Sequence, residues 1–535
     1  LLHRKGRKGC EKNIYKITVS SSLWLFFSLI FLILSLTSCS INNDRENNTL
    51  SLSSFQSLFT EEYAIDADEF KSFLAHLVDV DKSSSSPDKF LKKYYSGDNP
   101  YIWVSYSGLT SNADSLLSFL AILDTLGLSQ DAFRLSQIRE DVDRFRNLDF
   151  NEDKSTIEKV VARLEYNLSK ALLRYAKGQR YGFTAPAHYL NRLDKIVVDS
   201  VNFSYRRLFD IDNSSPKDSF FIQVLNTVNT DSMIVCLRNM SPNSDIYRRL
   251  YDEMKRATSH SYRRLLAVNM EKCRWFRGRT TDEVNKHIVV NIPSLTLYAY
   301  ADDSTLTMRV ACGSMLTKSP ILQSRIYRMD VNPQWVIPQS IVKKDIARHA
   351  GNTSYFARHR YNICERPSFR KVNISSVSYQ MLMSGKYAVV QEGGEGNSLG
   401  RIIFRFMNNC SVYLHDTSSR GVFSREDRRV SHGCIRVQHP YELARFLLGS
   451  EDIDLLDKIE YSMTANMRPV MVDSVMVSPD IDKSRLVHSA KVNPKIPIAI
   501  TYYTVYPDKV GNLIVYDDVY GYDSIIEEHL SGYLQ

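Results

Sequence analysis

Cysteine is scarce in this chain: eight residues in 535, at positions 10, 39, 236, 273, 312, 364, 410 and 434, with no Cys-x-x-Cys pair among them. That spacing offers no recurrent ligand pair for structural zinc and no framework from which disulfide partners can be read. Charge of one sign is scarce too, once it is located. Of the formal +8, a net +5 sits in residues 1–38, where Arg4, Lys5, Arg7, Lys8, Lys12 and Lys16 face only Glu11, so the remaining chain carries +3. This excludes an electrostatic case for nucleic acid. No internal repeat is evident, which argues against a solenoid or propeller. The apolar run at residues 23–36 is shorter than the roughly 20 residues a spanning helix needs. What the chain does have is ordinary globular composition, 43% hydrophobic and 24% charged residues, which rules out wholesale disorder. At roughly 100–200 residues per domain, its length calls for about three structured units.

The start reads as a targeting segment. Basic residues precede the apolar run, and Leu36-Thr37-Ser38-Cys39 follows it, the small-residue pattern of a cleavage site. The tetrapeptide also resembles a bacterial lipobox, with Cys39 as the lipidated residue and a membrane anchor as the consequence. The expectation is a signal segment over 1–38, an uncut signal anchor being the alternative, and an exported body. Residues 39–87, rich in Ser, Asn and Asp, read mainly as a tether, although Phe70, Phe73, Leu74 and Leu77 suit a short helix.

Residues 88–270 read as a helical domain. A Ser155-x-x-Glu158 capping box opens a helix whose Ile157, Val160, Val161, Leu164, Leu168, Leu172 and Tyr175 recur at helical spacing. A second helix is expected from Asn112 to Leu126. Near Lys286 the pattern turns to strands: residues 287–292, 295–300 and 306–310, the last two joined by an Asp302-Asp303 turn. The strand pattern breaks between 343 and 400, where a polar stretch ends in Glu392-Gly393-Gly394-Glu395-Gly396. An insertion of that length is expected to form a cap over a site. A helix is expected from Pro440 to Leu448, and strands resume at 496–506 and 513–520, a hairpin across Asp508 to Gly511 that is expected to add to the same sheet or pack beside it. The fold class is therefore α+β: a helical domain, a mainly β domain over 285–450 with an inserted cap, and a β-rich C-terminal extension over 451–535.

The segment that carries chemistry is Tyr413-Leu414-His415-Asp416-Thr417 followed by Ser431-His432-Gly433-Cys434-Ile435-Arg436-Val437. Strand alternation sets Tyr413 and His415 on one face and Val412 and Leu414 on the other, and likewise pairs Cys434 with Arg436 against Ile435 and Val437. A thiol becomes an effective nucleophile when a base or positive surroundings favour thiolate. Gly433 permits a turn that a Cβ would obstruct, amides near Gly433 and Cys434 suit an oxyanion, and Arg436 suits a carboxylate. On residue chemistry alone three readings stay open: a buried apolar cysteine beside a hydrogen-bonded core histidine, a zinc site from His415, His432, Cys434 and His439, or a nucleophile with its base.

These motifs resemble the signature of the L,D-transpeptidase (YkuD-type) catalytic domain. The wider chain resembles the large multi-domain YcbB-like branch, through residues 287–293, Asn332-Pro-Gln-Trp335-Val-Ile-Pro338, Gly396-Asn397-Ser-Leu399-Gly400-Arg401 and the Pro440 helix. Weaker likeness runs back through Tyr101-Ile-Trp103-Val, Arg174-Tyr175 and Tyr181-Gly182 into a helical scaffold. The resemblance implies acyl transfer on peptidoglycan stem peptides. Cys434 would be the nucleophile and His415 the base, His432 and Gly433 would shape the oxyanion site, and Ser431, Tyr413, Trp335 and Arg436 would line the substrate cleft. It implies no metal and no organic cofactor, sensitivity to carbapenems, and a periplasmic, membrane-anchored lipoprotein working beside other cell-wall synthesis proteins. Relatives in this branch commonly carry a small peptidoglycan-binding module, whereas here a short helical stretch joins Met254 to Met270, so wall affinity is expected from the scaffold, the cap or partners. The same acyl-enzyme would serve L,D-carboxypeptidation or transfer to a protein amine, and a non-catalytic wall-binding lipoprotein is the reading from another class.

Overall fold

The computed structural model describes residues 65–535 except 106–107, 152–154, 198–201, 213–215, 277–284, 303, 450–451, 466–469, 473–474 and 478–479. The signal segment, Cys39 and the first part of the expected tether lie outside the described residues, as does Asp303 of the expected turn.

The helical domain is organised around Ile157–Tyr181, a helix buried on nearly all sides. Helix propensities differ by tenths of a kcal/mol per residue, while full burial of each of Leu164, Leu168 and Leu172 contributes about 1.5–3 kcal/mol, so packing holds this helix. Its polar positions are buried as well, and each finds partners. The Glu165 carboxylate accepts the backbone N–H groups of Ile102, Trp103 and Val104 at 2.5, 2.8 and 3.1 Å and the Tyr95 hydroxyl at 2.7 Å. Lys170 meets Asp81 at 2.5 Å, and Arg174 meets Asp88 at 2.9 Å. The expected capping box does not form, and the N-cap lies one residue later. Thr156, not Ser155, is the N-cap and accepts the Lys159 N–H, while Glu158 turns away to accept the Asp66 N–H at 3.2 Å.

That contact marks a second correction, since the ordered domain begins well before residue 88. Ala67–Val80 is a helix capped by Asp66, with Phe70 and Leu74 buried against the central helix. The serine tract is structural rather than a spacer: Ser83 Oγ accepts Lys170 Nζ at 3.0 Å, and Ser85, at the N-cap position of the helix Ser86–Tyr95, donates its hydroxyl to the Asp88 carboxylate. The expected helix at 112–126 is α-helical over Asn112–Leu120 and tightens to a 3-10 turn over Ala121–Leu126. At the other end, Asp245–Arg256 and His260–Trp275 form a helical pair that carries the domain past residue 270.

The β domain is a sheet that closes on itself. Ile321–Val331 pairs antiparallel with Ile402–Phe406 along one edge and with Ser489–Thr501 along the other, so Met329 faces Phe404 and Ala490 at once. From Ile402–Phe406 the ring continues through Leu414–His415, Ile435–Val437, Ser304–Gly313, Thr296–Ala301 and Lys286–Asn291 back to Ser489–Thr501. Closure leaves few unpaired edges. Ile288, Val290, Leu297, Val310, Leu414, Ile435 and Ile498 fill its interior.

The C-terminal segment adds to the sheet, one of the two places expected for its strands, but as an integral part of it rather than an extension. Ser489–Thr501 is a central strand, parallel to Lys286–Asn291 and antiparallel to Ile321–Val331. Only Val505–Pro507 and Leu513–Val515 form the expected hairpin; residues 453–464 and 522–530 are helices. Long-range pairing of this kind leaves no local mark in a sequence. The inserted cap begins at Trp335, earlier than expected, and is a unit with its own core. Its four antiparallel strands run in the order Trp335–Val336, Tyr387–Gln391, Tyr361–Glu365, Arg370–Val372 over Ile337, Ile346, Phe356, Ile363, Leu382 and Val389.

A chain ending at residue 480 is expected to lose the cooperative unfolding of the β domain, because the ring would open at its middle. A truncated chain whose circular-dichroism melt matches that of the full chain would show Ser489–Thr501 to be peripheral.

Candidate active site

Two short parallel strands build the site. Leu414 pairs with Ile435 and His415 with Arg436, and the Ile435 N–H donates to the Tyr413 carbonyl at 3.1 Å. The register therefore sets Tyr413 beside Cys434 and His415 beside Arg436. Val412, Leu414, Ile435 and Val437 enter the core, and the four polar partners share the opposite face. On that face the rings of Tyr413 and His415 meet edge to face at 5.8 Å.

Tyr413 does more than line a cleft. Its backbone N–H and its hydroxyl face Cys434 and favour the thiolate, and Trp335 of the cap favours ionisation of the same hydroxyl. Burial pushes the Cys434 thiol up to about 11, against the Tyr413 donors and the nearby Arg436 charge, which favour thiolate. Burial likewise depresses His415 to about 4, with Arg436 adding to the effect and the Asp416 and Leu399 carbonyls opposing it. His415 Nδ1 lies 2.5 Å from the Asp416 carbonyl. That oxygen can only accept, so Nδ1 carries the proton and Nε2 keeps its lone pair. At neutral pH the resting pair is thus thiol and imidazole, an uncharged arrangement suited to general-base rather than preformed ion-pair chemistry.

Asp416 fixes this segment from below. Its carboxylate accepts the Arg401 N–H at 2.8 Å and meets Arg420 at 3.2 Å. Gly400, at φ +67°, must be glycine here, since a Cβ would fall 2.4 Å from that carboxylate. The Asn397 amide ties the two feet of the cap by donating to the Pro333 and Glu392 carbonyls at 3.3 and 2.7 Å.

The turn at 431–434 departs from expectation in one respect. The Gly433 N–H donates to Ser431 Oγ at 3.1 Å, and Ser431 Oγ donates to the Cys434 carbonyl at 2.5 Å, so the Gly433 amide is committed inside the turn and is not an oxyanion donor. His432 is exposed, 4.0 Å from Asp345 of the cap. The cap therefore reaches both flanks of Cys434, through Trp335 and Asp345. Arg436 Nε is buried and, among the described residues, has no hydrogen-bond partner, as a group awaiting an anionic ligand would be.

Sequence reading passed over residues 313–319, which grip the turn from the core side. Ser314 N–H and Thr317 Oγ1 both donate to the Ser431 carbonyl, at 3.1 and 2.8 Å, and Ser319 Oγ donates to the Gly433 carbonyl at 2.8 Å. Three hydroxyls within six residues at the end of a strand were the available signal. Among the described residues no group of three or more His, Cys, Asp or Glu side chains could hold a metal ion, and all six described cysteines are free thiols.

With a thiol near 11, iodoacetamide alkylation of Cys434, followed by peptide mass mapping, is expected to rise about tenfold per pH unit from about pH 7 to 9. A plateau near neutrality would mean a preformed ion pair.

The comparisons with known proteins bear on the two domains. Residues 285–472 match the YkuD family, an L,D-transpeptidase catalytic domain, and residues 89–254 match the Scaffold domain family. Over 315 residues the chain is 25% identical to a Haemophilus influenzae protein provisionally named an L,D-transpeptidase, covering 58% of this chain and 59% of that one. The chain thus spans about three fifths of the length of the curated relative it matches. Among solved structures it is similar to an L,D-transpeptidase from Mycobacterium smegmatis, at 15% identity over 30% of this chain and 53% of the other, with a TM-score of 0.18. It is also similar to Mycobacterium tuberculosis L,D-transpeptidase 1, at 13% identity over 41% and 61%, with a TM-score of 0.15. Those two scores are too low to bear on the architecture. The two family matches, falling on the helical domain and on the domain that holds Cys434, give this chain an L,D-transpeptidase catalytic domain beside a Scaffold domain, an organisation consistent with the large multi-domain YcbB-like branch.

Proposed function

We propose that this protein forms 3-3 cross-links in peptidoglycan through a Cys434 thioester. The observation that carries the reading is the parallel register that sets Cys434 beside Tyr413 and His415 beside Arg436 within the YkuD-matched segment. Cys434 Sγ attacks the carbonyl between diaminopimelate and the terminal D-Ala of a tetrapeptide stem. His415 Nε2 takes the thiol proton and returns it to the departing D-Ala amine as the C–N bond breaks, leaving a thioester. The side-chain amine of a second stem then attacks the thioester, giving its proton to His415, and the thiol is regenerated. Tyr413 stabilises the thiolate as it forms. Arg436 holds a stem carboxylate, a role supported by its unpartnered Nε. Trp335, Ser431 and His432 bound the cleft, and the cap closes over the bound stem. Export, lipidation at Cys39 and anchoring to an envelope membrane belong to the same reading, supported by the segment at 23–39.

The test is intact-protein mass spectrometry with a carbapenem, wild type against Cys434→Ala, followed by muropeptide analysis of sacculi incubated with each. The expected result is a covalent adduct on wild type only, with new 3-3 dimers. An adduct with tripeptides and no dimers would instead identify an L,D-carboxypeptidase, in which water takes the place of the second amine. A folded wild-type protein with no adduct and unchanged muropeptides would overturn the enzymatic reading.

A further inference from the structure

The loop at 313–319 touches the one peptide unit whose orientation matters most for acyl transfer. Ser319 is fully buried. Its Oγ accepts the Gly313 N–H at 2.9 Å and donates to the Gly433 carbonyl at 2.8 Å. Its backbone N–H donates to the Tyr520 hydroxyl at 3.2 Å, and that hydroxyl donates to the Gly313 carbonyl at 2.6 Å. The Gly433 carbonyl lies in the same plane as the Cys434 N–H, and across a trans peptide the two bonds point in opposite directions. A carbonyl held inward, toward buried Ser319, therefore turns the Cys434 N–H outward to the cleft. That plane needs a restraint. Gly433 sits at φ +115°, where a glycine backbone rotates with little steric resistance. A flip would bring the carbonyl oxygen to the place where negative charge develops. The Gly433 amide offers no substitute donor, being committed to Ser431 Oγ.

We propose that Ser319 is a positioning residue that aims the Cys434 amide as the oxyanion donor by anchoring the Gly433 carbonyl, with Tyr520 holding Ser319 in place. The inference rests on the acyl-transfer reading above. It separates two reactions of one sulfur. Acylation by a carbapenem forms an S–C bond to a carbonyl carbon and breaks the lactam C–N bond, whose nitrogen takes the thiol proton, and it passes through an oxyanion. Alkylation by iodoacetamide displaces iodide at a saturated carbon and forms no oxyanion.

Both rates are measured at Cys434 in the full chain. In Ser319→Ala, acylation is expected to fall roughly 10- to 100-fold, less than the ~10²–10³ typical of deleting a donor outright, while alkylation stays within about twofold of wild type. Ser319→Thr, which keeps the hydroxyl, is expected to recover most of the loss. Tyr520→Phe removes the supporting hydroxyl without touching Ser319 and is expected to give a smaller loss, again confined to acylation. Equal falls in both rates across the Ala and Phe variants, or undiminished acylation in folded Ser319→Ala, would overturn the proposal. Failure of wild type itself to be acylated would overturn the acyl-transfer reading and this inference with it, a result the variants alone cannot produce.

Discussion

The parallel pairing of Leu414–His415 with Ile435–Val437 is the constraint on which the site depends. Parallel neighbours cannot be joined by a tight turn and require a crossover. The chain spends residues 416–434 on that crossover, including the 3-10 turn Arg420–Ser424 and the strand Arg429–Ser431, which lies parallel to the end of Ser304–Gly313. The crossover returns to the sheet directly at Cys434. A slip of one residue in this pairing would turn Cys434 and Arg436 into the core and bring Ile435 to the surface. Burial of Leu414, Ile435 and Val437, each about 1.5–3 kcal/mol, opposes that slip and so fixes the geometry of the polar face.

The electrostatics follow from the same burial. Cys434, His415 and Arg436 crowd one face with little water, and desolvation disfavours the charged form of each. The cationic member keeps its charge because an arginine scarcely ever loses it. Its charge disfavours protonation of His415 and favours ionisation of Cys434, which suits a base that must accept the proton only during attack. The cap bears on this balance, since Trp335 acts on the Tyr413 hydroxyl, which in turn favours the thiolate.

The helical domain serves as a buttress to the sheet. Lys272 in His260–Trp275 pairs with Asp523 in the C-terminal helix Tyr522–Leu530, and Asn269 Oδ1 accepts the Thr504 and Val505 N–H groups at 2.9 and 3.2 Å. A buried ion pair adds little net stability, because desolvation offsets most of its attraction. Its consequence here is registry. The C-terminal segment is clamped between the scaffold and the ring, and Tyr520, within that segment, reaches the loop behind the catalytic turn.

The sequence by itself determined the elements whose physics is local. Periodicity marked the Ile157–Tyr181 helix, proline and the residues after it marked Pro440–Leu448, and alternation marked which face of each catalytic strand is polar. It also exposed the Cys434 motif, because that chemistry is concentrated in seven consecutive residues. Tertiary structure alone decided what depends on distant partners. The Ser83 tract became structural because Lys170 and Arg174 needed acceptors, Thr156 displaced Ser155 as the cap once Asp66 claimed Glu158, and Ser489–Thr501 became a central strand rather than part of an appendage. The grip of Ser314, Thr317 and Ser319 on the turn belongs to the same class. Hydrogen bonds between residues so far apart along the chain leave no period in a sequence, since they are selected by where the chain returns and not by what stands next to it.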